Sequence, residues 1–410
     1  HRDLHSFPTR RSSDLLLGTP LGGSLPASAA ASPAGGAASA LRRIIGPADA
    51  VVAADPRGRT VLSIHAERML VPASTLKILT SLVARHYLGP GHRFQTEFYL
   101  DDRNNLKIKG YGDPLLVSEV MREIATALAE RIRGFNDLIV DGSHFSAVTI
   151  PGVTDTLNPY DAPCGALSVN FNTVTFKRFR GEVVSAEPQT PIVPFILGRI
   201  RQTGLAEGRI VLAAENDESI LYAGHLFRRL LADAGVASTG GVSTGRVEHG
   251  KDRLLYRYTS AFPLDAIIER LLMHSNNFTA NQLLIKAGIA AAGPPGTLRK
   301  GVRAAEDYIR EELGREDIRI AEGSGISREN RVSAAGMMRV LAAFAPLHHL
   351  MKAEEGVYFK TGSLSGVKTR AGYIRVDGGG LAPFVVMINT PGKRPEPVVS
   401  GLARILRSPP

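Results

Sequence analysis

One cysteine, Cys164, stands in a chain of 410 residues, so no disulfide can form within it. That neither supports nor forbids export, because many exported bacterial proteins carry no disulfide. Tryptophan is absent and aromatics make up 6% of the chain. No Arg-rich tract has aromatics interleaved with it, which excludes a nucleic-acid-binding strip despite the net charge of +10. The charge instead suits a polyanionic partner such as cell-wall glycan or teichoic or lipid phosphates, with peripheral membrane association compatible. The eleven histidines include no H-E-x-x-H, which argues against a zinc hydrolase. Beyond residue 17 no apolar run reaches the length needed to span a bilayer.

What is present fits a soluble globular chain of roughly two or three domains, 44% hydrophobic and 21% charged. His1–Leu15 reads HRDLHSFPTRRSSDL, similar to translated sequencing adapter, and is set apart from the fold. Residues 16–38, an apolar stub followed by Ala/Ser/Gly/Pro, read as a signal-peptide remnant or linker and point to export, with a periplasmic address expected. Ala50–Ala54 and Thr60–Ala66 are strand-like runs joined by a Pro-Arg-Gly turn. Leu76, Leu79, Leu82 and Val83 share a helical face that Gly89-Pro90 ends. From 92 to 256 short strands mix with helical patterns near 115–132 and 224–234. Leu264, Ile267, Ile268, Leu271 and Leu272 then mark a helix that breaks at His274–Asn277 and resumes at Ala280–Ala287. Three strands, within 357–361, 371–376 and 381–389, precede a last helix near 397–406. The two ends thus form one core, 39–92 with 257–410, and 93–256 is an inserted domain.

Three motifs occur in order: Ser74-Thr75-Leu76-Lys77, Ser275-Asn276-Asn277 and Lys360-Thr361-Gly362. Together they match the S-x-x-K, S-x-N and K-T-G set of penicillin-recognising serine enzymes. Ser74 opens a helix, whose free N–H groups favour the negative charge of an acyl-transfer intermediate. Lys77 lies one turn on, within reach of the hydroxyl, and acts as a base if burial or a second cation such as Lys360 lowers its pKa. Ser275 and Asn277, at the helix break, can relay a proton and hold a substrate amide. Lys360 and Thr361 can receive a substrate carboxylate; Gly362 lets a backbone approach, and the Ser363 N–H can complete an oxyanion hole. Decoys fall away on context: Ser365-x-x-Lys368 opens no helix, and Ser168-x-Asn170 lies in a β-like stretch. Gly245–Lys251 nearly spells a phosphate loop, but Asp252 replaces its Ser/Thr. His144 and His274 read as structural.

The chain resembles the class C low-molecular-mass penicillin-binding proteins, the D-alanyl-D-alanine carboxypeptidase/endopeptidase family, from about Leu41 to Leu406. The resemblance rests on VPASTLKILTS (71–81), GYGDPLL (110–116), GALSVNFN (165–172), HSNNFTANQLL (274–284), EGSGISRENRVS (322–333) and FKTGSLSGVKTRAGY (359–373). It implies an α/β fold: a serine β-lactamase/DD-peptidase-like α/β/α core with an antiparallel sheet and an inserted mixed α/β domain. It implies a cofactor-free, metal-free enzyme acylated at Ser74 by the penultimate D-Ala of peptidoglycan stem peptides, with β-lactam antibiotics as covalent inhibitors. Asn276 stands where the family often has Asp. Asp113 and Arg328 match positions lining the family's side-chain pocket; otherwise Asp113 caps a turn before Pro114 and Arg328 holds a loop through backbone contacts. A β-lactamase or esterase of the same fold, or a non-catalytic wall-binding protein, are the competing functions.

Overall fold

The computed structural model describes residues 33–407 apart from residue 155 and residues 214–216. The adapter-like stretch and residues 16–32 lie outside the described residues. Residues 33–38, expected in a linker, instead begin a helix, Pro33–Ile44. Its Leu41 fits against the C-terminal helix Glu396–Arg407, where a side chain on Gly401 would meet Leu41 Cδ2 at 2.8 Å. Docking, not composition, makes that segment helical.

A six-stranded antiparallel sheet forms the centre of the first unit. Its strands run in the spatial order Lys352–Glu354, Val357–Leu364, Val367–Arg375, Leu381–Ile388, Asp49–Ala54 and Thr60–Ile64. Successive side chains on a strand face opposite layers. Val385 and Met387 therefore enter one core, whereas Phe384, Val386 and Ile388 enter the other. Both faces being covered, the inner strands are apolar throughout. The two terminal helices cover one face. Helices Lys77–Leu88, Leu264–His274, Asn277–Ala292, Leu298–Tyr308 and Ala334–Phe344 cover the other. This is the expected α/β/α arrangement.

Residues between these halves build a five-stranded mixed sheet: Val242–Thr244, Leu138–Asp141, Leu106–Gly110, Arg93–Leu100 and Arg253–Pro263. Helices Ser118–Ala129 and Glu218–Asp233 pack on it. A three-stranded sheet, Glu182–Ser185, Thr173–Phe179 and Glu207–Val211, shares the same core through Phe176 and Ile210. Strand Arg253–Pro263 runs across the expected 256/257 boundary, because it pairs with Arg93–Leu100 along its length and feeds directly into helix Leu264–His274.

Candidate active site

Ser74 lies in a single 3₁₀ turn, Ala73–Leu76, and the α-helix proper starts at Lys77. The expectation that Ser74 opens the helix is thus refined: it stands one turn ahead. The turn is pinned at Pro72, whose carbonyl oxygen accepts from Thr75 Oγ1 and Thr369 Oγ1, each at 2.7 Å. Two glycines press against it. A Cβ on Gly362 would meet Thr369 Oγ1 at 2.2 Å and Ser74 N at 2.9 Å. A Cβ on Gly325 would lie 1.9 Å from the Ala73 carbonyl oxygen. Gly362 was expected to admit substrate backbone; the backbone it admits is the chain's own Ser74 turn.

Lys77 is fully buried. Its Nζ lies 2.9 Å from Ser74 Oγ, 2.8 Å from Asn277 Oδ1 and 2.7 Å from the Ser324 carbonyl oxygen. Burial first, then the Lys360 charge, hold its pKa well below the usual lysine range, while Glu322 pulls the other way. Lys360 is itself buried on strand Val357–Leu364, pushed by burial to about 8, and donates to the Thr361 carbonyl oxygen at 2.8 Å. Lys360 thus adds to burial in lowering the Lys77 pKa.

Ser275 ends helix Leu264–His274 in the left-handed region with φ 56°. Asn276 caps the next helix, its Oδ1 accepting from the Thr279 N–H at 3.0 Å. Asp and Asn cap equally well, which accounts for Asn at this middle position. Asn277 then points back to Lys77.

The loop that supplies Ser324 is organised by Glu322, which sequence reasoning did not single out. This fully buried carboxylate accepts from the Ser324 and Gly325 N–H groups at 2.7 Å each, Ser324 Oγ at 2.7 Å, Asn330 Nδ2 at 2.7 Å and Asn281 Nδ2 at 3.0 Å. So many donors compensate the cost of burying its charge. Its place in EGSGISREN was the available signal.

Ser74, Ser275, Asn277, Thr361 and Ser363 line one cavity of about 450 Å³. The inserted unit forms the opposite wall through Thr154, Thr156, Asn158, Tyr160 and Asp161, all missed from sequence. Asp161 accepts from Thr156 Oγ1 at 2.6 Å. Lys368, of the decoy motif, donates to Ser363 Oγ at 3.1 Å.

Asp113 does not line this cavity. It is 3% exposed, and its Oδ1 accepts from the Leu115 N–H at 2.8 Å, which is the turn-capping alternative. Burial raises its pKa to about 6. The inserted region reaches the cleft through Gly152, Thr154, Thr156, Asn158, Tyr160 and Asp161, not through Asp113. Arg328 lines an adjoining groove with Gly152, Ile326 and Leu364, and its guanidinium donates to the Ser365 carbonyl oxygen. Cys164 is buried, with its thiol pKa pushed up by burial. His274 is exposed at the cavity rim; burial lowers His144 to about 4. Among the described residues no three His, Cys, Asp or Glu side chains converge to hold a metal ion.

The chain matches the D-Ala-D-Ala carboxypeptidase 3 (S13) family over residues 43–210 and 196–353. It is 28% identical to a D-alanyl-D-alanine carboxypeptidase of Actinomadura sp. (strain R39), covering 86% of this chain and 80% of that one. It is 22% identical to D-alanyl-D-alanine carboxypeptidase DacB of Haemophilus influenzae, covering 81% and 83%. Among solved structures, penicillin binding protein 4 of H. influenzae superposes with a TM-score of 0.72 at 21% identity, over 90% of this chain and 98% of that one. The same protein has also been solved with a β-lactam. A predatory endopeptidase from Bdellovibrio bacteriovorus superposes at 0.51 with 16% identity, over 87% and 90%. The matched stretches span well over half the chain, which therefore belongs to the D-Ala-D-Ala carboxypeptidase 3 (S13) family and is a serine peptidase.

Proposed function

We propose that this peptidase removes terminal D-Ala from, and cuts D-alanyl cross-links in, peptidoglycan stem peptides through an acyl-enzyme at Ser74. The observation that carries the reading is the environment of Lys77. An ammonium has three hydrogens, and a neutral amine has two and a lone pair. With the Ser324 carbonyl and Asn277 Oδ1 taking two hydrogens, the lone pair of neutral Lys77 faces the Ser74 hydroxyl 2.9 Å away. Burial and the Lys360 charge favour that neutral form.

The Ser74 oxygen attacks the penultimate D-Ala carbonyl as its proton passes to Lys77. The proton then reaches the leaving amine, with Ser275 as the relay. Water later hydrolyses the ester. Lys360 and Thr361 hold the substrate's terminal carboxylate by charge and hydrogen bond, and Ser363 N–H serves the oxyanion. The residues from strand Arg93–Leu100 to strand Arg253–Pro263 act as an inserted unit covering this cleft. We place the enzyme outside the cytoplasm, where its polymeric substrate lies, and expect β-lactams to acylate it, as the β-lactam complex of the H. influenzae protein suggests.

The test is intact-protein mass spectrometry after incubation with benzylpenicillin. One long-lived adduct on Ser74 is expected, lost in Ser74→Ala at an almost unchanged melting temperature. Labelling that persists in Ser74→Ala sinks the nucleophile, and rapid turnover of the penicillin would mark a β-lactamase instead.

A further inference from the structure

The cleft continues on both sides of Ser74. At one end the cavity shares Gly152, Ile326 and Leu364 with the groove of Arg328. At the other it shares Asn158, Tyr160, His274, Ser275 and Asn277 with a larger compartment of about 700 Å³. Among the described residues, the lining of that compartment includes two guanidiniums, Arg209 and Arg270, and no carboxylate. Its wall is apolar at Leu115, Phe171, Ile267 and Leu271. Arg209 is steadied by its Nε donating to Thr173 Oγ1 at 2.8 Å. The Arg270 guanidinium lies 4.6 Å from the centre of the Phe262 ring. Both side chains are exposed, and among the described residues neither has a carboxylate partner. Nothing in the acyl-transfer chemistry at Ser74 uses them.

The sheet edge decides which part of a substrate enters which compartment. The edge strand Lys352–Glu354 pairs only with Val357–Phe359, so among the described residues Lys360–Leu364 has no paired strand on that side. An extended peptide can add there by backbone hydrogen bonds. On the acyl-enzyme reading, with the leaving residue's carboxylate at Thr361 and the scissile carbonyl at the Ser363 N–H, a donor chain along this edge runs on to Leu364 and so to the Arg328 groove. The leaving group departs the other way, past Ser275 and Asn277. A single D-Ala ends within the Ser74 cavity. A second stem peptide, joined to the donor through its diaminopimelate side chain, does not; it continues into the next compartment with its own carboxylates.

We propose that the compartment carrying Arg209 and Arg270 is a binding site for the anionic leaving strand of a cross-linked stem-peptide dimer, which makes the dimer a favoured substrate. This rests on the acyl-enzyme reading above. In the step concerned, Ser74 Oγ forms an ester with the D-Ala carbonyl carbon and the amide C–N bond to the diaminopimelate breaks. The Ser74 proton ends on the freed amine, and water later returns the enzyme and a D-Ala carboxylate. Arg209 and Arg270 touch only the carboxylates of the departing strand.

The experiment compares wild type with the double variant Arg209→Gln, Arg270→Gln. Its substrates are a cross-linked dimer, the same dimer with the leaving strand's carboxylates amidated, and a monomeric pentapeptide ending in D-Ala-D-Ala. Acylation by benzylpenicillin is followed in parallel. The expected result is a fall of about tenfold in kcat/KM for the dimer, less than twofold for the pentapeptide and for penicillin, and no added loss for the amidated dimer. An equal fall for dimer and pentapeptide overturns the proposal, as does an unchanged dimer rate. A wild type that cleaves the pentapeptide but not the dimer overturns it too. A wild type that cleaves neither and takes no penicillin at Ser74 refutes the acyl-enzyme reading on which it stands.

Discussion

Lys77 Nζ lies 2.7 Å from the Ser324 carbonyl oxygen, tying the helix that follows the nucleophile to a loop almost 250 residues further along the chain. That loop is shaped by Glu322, so the base of the site is oriented by a carboxylate that never reaches the cavity. Both the strength of the base and the position of the nucleophile therefore depend on parts of the chain remote from the S-x-x-K motif.

The first expected outcome is a bell-shaped pH profile for acylation. Lys77 must be neutral to take the Ser74 proton, so the rate rises as pH climbs through its lowered pKa. Lys360 must be protonated to supply charge, so the rate falls as pH passes about 8. Stopped-flow kcat/KM for a D-Ala-D-Ala peptide or a β-lactam between pH 5 and 10 measures both limbs. The two lysines are coupled, so the limbs describe the pair. A rate still rising at pH 10 would remove Lys360 from the role of required cation.

The second separates the two lysines. Arginine keeps its charge but cannot act as a base. Lys360→Arg should retain activity within about one to two orders of magnitude and lose the alkaline limb, because a guanidinium stays protonated beyond pH 12. Lys77→Arg should drop by on the order of 10³-fold or more, the loss expected when a general base is removed and its buried site overfilled. Equal losses in both, with the alkaline limb kept in Lys360→Arg, would contradict the division.

Much of this was legible in the sequence, for a physical reason. Ser74 and Lys77 lie one turn apart, so spacing alone brings them together. The strands near 357–389 show themselves as apolar runs. What was hidden depends on distant packing. The Lys77–Asn277 contact spans 200 residues and is found only by recognising two motifs as one site. The stretch from 152 to 161 has no periodicity in its sequence, yet Gly152, Thr154, Thr156, Asn158, Tyr160 and Asp161 form a wall of the cavity. Helix Ala334–Phe344 is so apolar that its sequence, AAGMMRVLAAF, shows no polar stripe. Asp113 sits in a motif beside the cleft, but burial turned it inward.

Asp113 gives the third prediction. Its Oδ2 is buried with no hydrogen-bond partner among the described residues, and burial raises its pKa to about 6. A carboxyl with a folded pKa above its unfolded value binds protons more readily when folded. It therefore destabilises the fold above about pH 6, and that penalty fades as pH falls toward the unfolded value near 4. Lys286 opposes this only in part, its own pKa lowered by burial to about 8. Asp113→Asn should be more stable than wild type at pH 7.5 by about 1 kcal/mol or more. The gap should close by pH 4.5. Thermal melts of both proteins across that range measure it, and a variant less stable than wild type at pH 7.5 would show that the charge is held by a partner.

The fourth prediction tests whether the Glu322 loop positions the nucleophile. Gly325 has φ 84°, which an L side chain rarely adopts, and a Cβ there would meet the Ala73 carbonyl oxygen at 1.9 Å and Ser74 N at 3.1 Å. Gly325→Ala must move the Ser74 turn, the loop or both. Gly323, two residues away, is the control: its φ is not positive, and a Cβ would meet Ala280 O at 3.0 Å and Leu284 Cβ at 3.1 Å, in the helical layer. Both variants should lose on the order of 1–3 kcal/mol of stability, the usual range for crowding a packed site. Only Gly325→Ala should also slow acylation at Ser74 by about 10²-fold, because displacing a nucleophile by an ångström forfeits much of its alignment. The measurement is the second-order rate of labelling by a fluorescent penicillin, taken well below each melting temperature so that unfolding does not contribute. If Gly325→Ala is labelled as fast as wild type, the turn tolerates the intrusion and the loop has no part in placing Ser74. If Gly323→Ala is slowed as much, the rate follows general loosening of the core, not the contact with Ala73.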